Sequence, residues 1–290
     1  MPRGLDHIVH AVRDLDAAAE FYRRAGFQVG ARNRHPWGTH NHVVQFPGFF
    51  IEILTVAEPE KLTGEGLPRI FGGANRDAIA RGDGFSMLLL ESPDAEADRA
   101  DFERAGIAAS AVLPFSRTAT LPDGGTTTVG FSLAFAADAR SPHAGFAVCR
   151  QHNPAAFWKP DYQVHANGAA AVRGAVLVAA NPSDHRGFLA AWTGVHDVVA
   201  DTVCISVQTP RGEIAIMTPV AFGERFGVSV AADGEGLSVK GLRLAARDLD
   251  AAEAALRGGD VTSLRHDGRL VVPPQAALGA TLIFDAAGGI

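Results

Sequence analysis

From Ile8 to Val12 the chain is apolar, in the manner of a buried strand. From Leu15 the period changes. Leu15, Ala18, Tyr22 and Ala25 recur at helical spacing and form one apolar face. Asp14 stands where its carboxylate can accept from the unpaired N–H groups of the first turn. Gly26 stands where a left-handed residue closes a helix, and Phe27 to Val29 is expected to begin a second strand. The pattern returns near the other end: Arg13-Asp14-Leu15-Asp16-Ala17-Ala18 recurs as Arg247-Asp248-Leu249-Asp250-Ala251-Ala252, after a strand from Leu242 to Ala246 and before Gly258-Gly259. Self-similarity of this kind sets architecture.

Two weaker copies lie between. Phe85 to Leu90 predicts a strand, Ser92-Pro93-Asp94 a helix start running through Phe102, and Gly106 its end, with Ile107 beginning a strand. Ala175 to Ala179 predicts another strand, with Asn181-Pro182-Ser183 opening a helix through Trp192 and Gly194 following. Paired strand runs follow each helix: His42 to Phe46 with Phe49 to Val56, Thr126 to Phe135 with Phe146 to Arg150, Val203 to Gln208 with Glu213 to Met217, and Leu270 to Val272 with Ala280 to Phe284. Turn residues separate the strands of each pair. The expectation is an α+β chain of four βαβββ modules paired into two incomplete barrels. Residues 1–156 hold modules 1 and 2 and the candidate site, 157–168 form a connection, and 169–290 hold the shorter modules 3 and 4. Trp158 and Tyr162 suggest that the connection packs down, with Trp158 as its anchor.

Composition narrows the class. Of 290 residues, 47% are hydrophobic and 20% charged, which supports a substantial core. A formal net charge of -6 without a long basic run argues against nucleic acid as a partner. The two cysteines, Cys149 and Cys204, lack metal-knuckle spacing and read as reduced thiols. No apolar run reaches the ~20 residues a membrane span needs, and the opening residues lack a signal-peptide core. A cytoplasmic protein, monomer or homodimer, is expected. P-loop, HExxH and GxSxG motifs are absent, and Gly72-Gly73 reads as a polar loop.

Gly4-Leu5-Asp6-His7-Ile8-Val9, Asp14-Leu15-Asp16, Phe21-Tyr22 and Gly26-Phe27 together resemble the opening module of the vicinal oxygen chelate superfamily. That group includes glyoxalase I, extradiol dioxygenases, fosfomycin-resistance proteins and bleomycin-binding proteins. Trp37-Gly38-Thr39-His40-Asn41, with Phe50-Ile51-Glu52-Ile53-Leu54, resembles the glyoxalase-like domain branch. The resemblance covers about the first 55 residues in detail and the second half only in architecture. It implies two modules forming a cup around one site, with metal ligands, where present, on the first and last strands of each module.

That resemblance places His7 and Glu52 at ligand positions. A histidine and a carboxylate suit a divalent metal such as Zn, Ni, Mn or Fe with open coordination sites. In the second module Phe85 or Ser86 falls opposite His7 and Cys149 opposite Glu52, while His152 lies just beyond and a strand bulge could bring it in. The expected metal set is His7, Glu52 and His152, with Glu52 and His152 as the candidate catalytic groups. The alternative is that His7 and Glu52 line a pocket without metal. In the second half the counterparts of His7 are Gly241 and about Gly174, and those of Glu52 are near Ile283 and Ile216, so no metal is expected there. The chain therefore does not resemble an extradiol dioxygenase, whose ligands lie in the second half.

His35, Trp37, His40 and Asn41 form a loop suited to line a pocket mouth, and Arg150 is a further candidate for substrate binding. His40 and His42 share one strand face and Asn41 the other. His10 is expected to face away from His7 and to be structural. Two functions remain open: a glyoxalase-like lyase or isomerase acting on a small molecule, assisted by metal at His7 and Glu52, or a non-catalytic binder of the bleomycin-resistance type. No cluster of Arg or Lys marks a phosphate or glutathione site, although Arg32, Arg34, Arg117 and Arg150 are available.

Overall fold

The computed structural model describes residues 1–120, 126–232, 234 and 236–287. The first module is β1 (Leu5–Ala11), α1 (Leu15–Arg24), β2 (Asn33–Arg34), β3 (Thr39–Phe46) and β4 (Phe49–Val56). Helix α2 (Gly73–Arg81) leads into the second: β5 (Gly84–Glu91), α3 (Ala95–Arg104), β6 (Leu113–Thr120), β7 (Thr126–Ala136) and β8 (Gly145–Gln151). A single-turn helix, α4 (Pro154–Phe157), opens the connection. The third module is β9 (Ala169–Val178), α5 (Arg186–Thr193), β10 (Val199–Ala200), β11 (Cys204–Gln208) and β12 (Glu213–Met217), followed by α6 (Pro219–Phe226). The fourth is β13 (Ser238–Ala246), α7 (Leu249–Gly258), β14 (Leu264–His266), β15 (Arg269–Val272) and β16 (Thr281–Ala286).

Three of the module helices start in the same way. Asp14, Asp94 and Asp248 each accept from two backbone N–H groups of the first turn, which fills acceptor positions that the helix cannot supply for itself. The third module departs. Asn181 makes no side-chain cap, and a 3-10 turn from Pro182 to His185 precedes α5, which closes at Gly194 with φ 67°.

The strands form two eight-stranded mixed sheets, β2-β3-β4-β1-β5-β8-β7-β6 and β10-β11-β12-β9-β13-β16-β15-β14. In each sheet the first strands of two modules lie antiparallel, β1 beside β5 and β9 beside β13. The last strand of each module runs parallel to its own first strand. Alternation then sorts the side chains. Ile8, Ile51, Ile53, Leu88, Leu90 and Val148 turn into one core with α1, α3, α5 and α7 that runs through both sheets. Val9, Leu54, Met87, Leu89, Leu133 and Cys149 turn to the other face of the first sheet, a half-barrel whose interior is the candidate site.

The second sheet is filled where the first is hollow. Phe222 and Phe226 of α6 pack on Val176, Val178, Met217, Val271 and Ile283. A Cβ added to Gly241 would meet Phe222 and Val176 at 3.3 Å, so even a methyl group crowds this interior. Register bears out part of the expected correspondence. Arg243 pairs with Ile283 as Val9 pairs with Glu52, which puts Gly241 and Ile283 in the places of His7 and Glu52. In the third module Val176 pairs with Ala215 as Val9 pairs with Glu52, which puts Gly174 in the place of His7 as expected and Ala215, the neighbour of Ile216, in the place of Glu52. All four are non-ligating.

Other expectations need correction. Residues 27–29 pair with no strand; the edge strand is β2. Near Ile107 only an isolated bridge, Ala108 to Ala136, is present. Gly72-Gly73 is helical, not loop: a wide turn from Pro68 to Gly72 runs directly into α2 and buries Phe71 against Trp37.

Buried polar bonds join the parts. Arg3, 2% exposed, donates to Asp98 at 2.7 Å, to Asp101 at 2.8 Å and to the Trp192 carbonyl at 3.0 Å, tying the N-terminal arm to α3 and α5. His10 is fully buried, as a structural role requires: Nδ1 meets the Tyr22 hydroxyl at 2.8 Å and Nε2 the Leu278 carbonyl at 2.9 Å. Its burial lowers its pKa to about 4, so it stays neutral. The connection is docked. His165 accepts from the Gln28 amide at 3.0 Å and donates to the Gln45 carbonyl at 2.9 Å, while Trp158 packs edge-on against Phe50 and Phe157. Among the described residues no helix is long and apolar enough to cross a membrane.

Candidate functional site

The half-barrel interior is lined by His7 from β1, Asn41 and Val43 from β3, Phe50 and Glu52 from β4, Phe115 and Arg117 from β6, and Cys149 from β8. His35, Trp37, Phe71 and Phe157 close its sides. It is narrow, with ≈ 60 Å³ of free volume. Mostly aromatic walls with a few convergent polar groups are the usual build of a small-molecule site.

Glu52 is the centre of the polar floor. It is buried, and its carboxylate accepts a short hydrogen bond from Asn41 Nδ2. Asn41 is held in turn by Asn33, which donates to its Oδ1 at 3.0 Å. His7 Nε2 lies 4.0 Å from one Glu52 oxygen and His35 Nε2 lies 3.9 Å from the other. Burial raises the Glu52 pKa above 4.5, opposed by the nearby His7, the Asn41 bond and the Arg117 charge. Burial lowers His35 to about 3, with the Arg117 and His40 charges acting in the same direction. His35 is therefore a neutral imidazole, and it stacks on Trp37 at 4.7 Å.

A bulge orients His7. Leu5 pairs with Leu90 and His7 with Leu89, so Asp6 and His7 together oppose one partner residue. The extra residue brings the Asp6 carboxylate 2.6 Å from His7 Nδ1. A carboxylate accepts, so Nδ1 carries a proton and Nε2 is the nitrogen turned towards Glu52. Gln151 Nε2 donates to the other Asp6 oxygen at 2.9 Å, and His7 lies flat on Phe50 with ring centres 4.3 Å apart. Register puts Met87, not Phe85 or Ser86, at the second-module position that corresponds to His7, since Glu91 pairs with Cys149 as Ala11 pairs with Leu54. Ser86 bonds Asn75 at 2.7 Å, outside the cavity.

Several expected site residues are brought together and others are not. His7, Glu52, His35, Trp37 and Asn41 share the cavity. His40 is turned to the other face of β3, as alternation predicts, where it bonds Glu58 at 2.9 Å. His152 and Arg150 are exposed and line no part of the cavity. The reason is parity: β8 keeps its pairing through Gln151 without a bulge, so Cys149 and Gln151 point inward and Arg150 and His152 outward. His152 Nε2 meets the Ser132 hydroxyl at 2.9 Å instead.

The donor set can be weighed for a metal. Asp6, His7 and Cys149 hold ligand atoms within 4.8 Å of one another. Within that group His7 Nδ1 and Asp6 are engaged with each other, and the Cys149 thiol is pushed well up by burial and by the Asp6 and Glu52 carboxylates. Among the described residues the donors left on the cavity side are His7 Nε2, the Glu52 oxygen that Asn41 does not bond, and Nε2 of neutral His35. This nitrogen and oxygen set fits a divalent cation, and the Asp6–His7 bond is the support that metal-binding imidazoles usually have.

Sequence reasoning missed Phe115 and named Arg117 only as an available cation, not as part of the cavity. Leu113, Phe115 and Arg117 alternate along β6, the spacing of one strand face, but the run is short of apolar residues and carries Pro114. Phe50, Phe71, Phe131 and Phe157 line the cavity as well, and no pattern in the sequence marks them as its wall.

Comparison with known proteins agrees with this architecture. A family model described as a glyoxalase-like domain matches residues 5–193. The chain belongs to that family. No curated protein matches it in sequence. In fold it resembles a hypothetical protein from Staphylococcus aureus, at 13% identity and a TM-score of 0.68, over 99% of this chain and 100% of that one. It also resembles a mutant of 4-hydroxymandelate synthase from Streptomyces coelicolor, at 12% identity and a TM-score of 0.62, over 100% of this chain and 94% of that one. A xylose isomerase-like TIM barrel/4-hydroxyphenylpyruvate dioxygenase fusion protein matches at 13% identity and a TM-score of 0.54, over 100% of this chain and 50% of that one.

Proposed function

We propose that the protein is a lyase or isomerase that moves a proton on a small carbonyl compound, with Glu52 as the base and a divalent metal held by His7 and Glu52, His35 standing beside them. The observation that carries this reading is the buried Glu52 carboxylate, pKa raised, between two imidazole nitrogens about 4 Å away on the floor of an aromatic cavity. A raised carboxyl pKa matches a base to proton transfer near neutral pH. Glu52 takes the proton from the carbon next to the carbonyl. In an isomerase of an α-hydroxy carbonyl compound it returns that proton to the former carbonyl carbon while the hydroxyl proton passes to the former carbonyl oxygen; in a lyase the electron pair of the enolate expels a leaving group from the next carbon. Asn41 aims the carboxylate, Asp6 fixes the His7 tautomer, and the Phe50, Phe115 and Phe131 rings hold a flat substrate and exclude water. A bound cation would polarise the carbonyl oxygen.

The test is elemental analysis of protein purified without a histidine tag or chelator, beside His7→Ala and Glu52→Ala. Near-stoichiometric metal that is lost in both variants supports the metal assignment. No uptake after adding Mn, Ni, Fe or Zn ions sinks it.

The aromatic walls favour a second reading, a protein that sequesters a planar compound without turning it over. Tight binding that is unaffected by Glu52→Gln, with no proton exchange into any bound carbonyl compound, would establish that reading in place of the first.

A further inference from the structure

Outside the aromatic cavity, and sharing Val43, Arg117 and Phe157 with it, lies a second chamber of ≈ 390 Å³. Arg32, Arg34, Arg117 and Lys159 all line it, with Gln45, Thr118 and Tyr162, and among the described residues no Asp or Glu does. The chain as a whole carries a net charge of -6, so this concentration of cations is not a general property of its surface.

The charges differ in how they are occupied. Arg32 is paired with Asp16 at 3.2 Å, and Lys159 Nζ reaches the Ala155 carbonyl at 3.3 Å. Arg34 and Arg117 make no side-chain hydrogen bond or ion pair with another described residue. Arg117 is half-buried at the boundary of the two chambers, and burial lowers its pKa while Glu52 works against that. A partly desolvated guanidinium that feels the Glu52 charge but makes no hydrogen bond to a described acceptor is costly, and it recovers that cost when an anion arrives.

We propose that this chamber receives the carboxylate or phosphate of an anionic substrate whose flat end enters the aromatic cavity. This rests on the reading of that cavity as the substrate site, and it names the substrate class. Arg117 is the pivot: it faces both chambers, so it binds the anionic group at the cavity mouth. Arg34 is the second contact, and Lys159 and Arg32 supply a surrounding positive field that draws the anion in. Glu52 adds direction. Its carboxylate repels an anionic group from the floor, so the substrate enters with its uncharged, reacting end first.

The experiment is calorimetric titration with matched probe pairs: phenylacetate against phenylacetamide, and phenyl phosphate against phenol. Wild type, Arg117→Gln and Arg34→Gln are compared at low and high salt. Neither arginine holds another described side chain, so both variants are expected to fold. In wild type the anionic member of at least one pair binds tenfold or more tightly than its neutral partner, and salt narrows the gap. Arg117→Gln abolishes the preference, and Arg34→Gln reduces it at least threefold. The pair that shows the larger preference identifies carboxylate or phosphate as the recognised group. Equal binding of neutral and anionic members overturns the proposal while leaving the aromatic cavity as a binding site. An anion preference that survives both substitutions overturns it too. Binding of no probe at 10 mM removes the cavity reading and this inference with it.

Discussion

Replacing Glu52 by Gln keeps the shape of the side chain and an oxygen that can accept from Asn41, but removes the charge and the ability to carry a proton. A positioned general base contributes about 10²- to 10⁴-fold to rate, or about 2.7–5.4 kcal/mol at 1.36 kcal/mol per decade. The substitution should therefore slow proton exchange by two to four decades. The assay is proton NMR of enolisable 2-oxo and 2-hydroxy carbonyl compounds in D₂O, with wild type and Glu52→Gln in parallel. Stability should move in the other direction. Burial raises the folded pKa of Glu52 above 4.5, so the folded protein holds this proton more tightly than the unfolded chain does. That contribution is fully present below the unfolded pKa and is lost as pH rises through the folded value. Gln has no charge to desolvate. Protein stripped of metal by a chelator should thus show a Glu52→Gln variant that gains on wild type as pH rises from 4 to 7.5, measured by urea unfolding at each pH. Exchange slowed less than tenfold refutes the role of base. A variant less stable than wild type at pH 7.5 by more than about 1 kcal/mol, comparable to one net hydrogen bond, refutes the electrostatic reasoning, because the carboxylate would then be held by its neighbours more strongly than burial penalises it.

Arg3→Met should lower stability by about 3–5 kcal/mol in urea unfolding, since it leaves buried Asp98 without its cation. Phe222→Ala should cost about 3–5 kcal/mol and hollow out the second half-barrel, checked by unfolding and by binding of a small apolar probe. The His35 ring should keep neutral chemical shifts from pH 7 to 4.5, because its pKa lies near 3; titration of its NMR signals in that range contradicts the assignment. Cys149, buried beside two carboxylates that push its pKa well up, should resist N-ethylmaleimide in the native protein at pH 7 and react on unfolding, whereas half-buried Cys204 reacts first; peptide mass spectrometry distinguishes them.

The sequence by itself determined what is local or repeated. The exchange of strand period for helical period, the Asp caps at Asp14, Asp94 and Asp248 and the glycines after the helices are set by neighbours a few residues apart, and they carried the α+β module pattern. The family resemblance placed His7 and Glu52, and alternation along β3 separated Asn41 from His40 and His42. What only the tertiary structure decided depends on register and on which groups meet across long separations. The bulge at Asp6 gives His7 its carboxylate partner, and a bulge leaves no mark on the period of the sequence. The absence of one in β8 sends His152 outward, although the residue type there invited the opposite expectation. Arg117, some 65 residues from Glu52, joins the site only because β6 closes the far edge of the sheet. The hollow first half and the filled second half share a module plan, and the difference is made by α6, whose phenylalanines occupy the space that the first half leaves open. Burial, which raises the pKa of Glu52 and lowers that of His35, belongs to the assembled cup and to no segment of the chain.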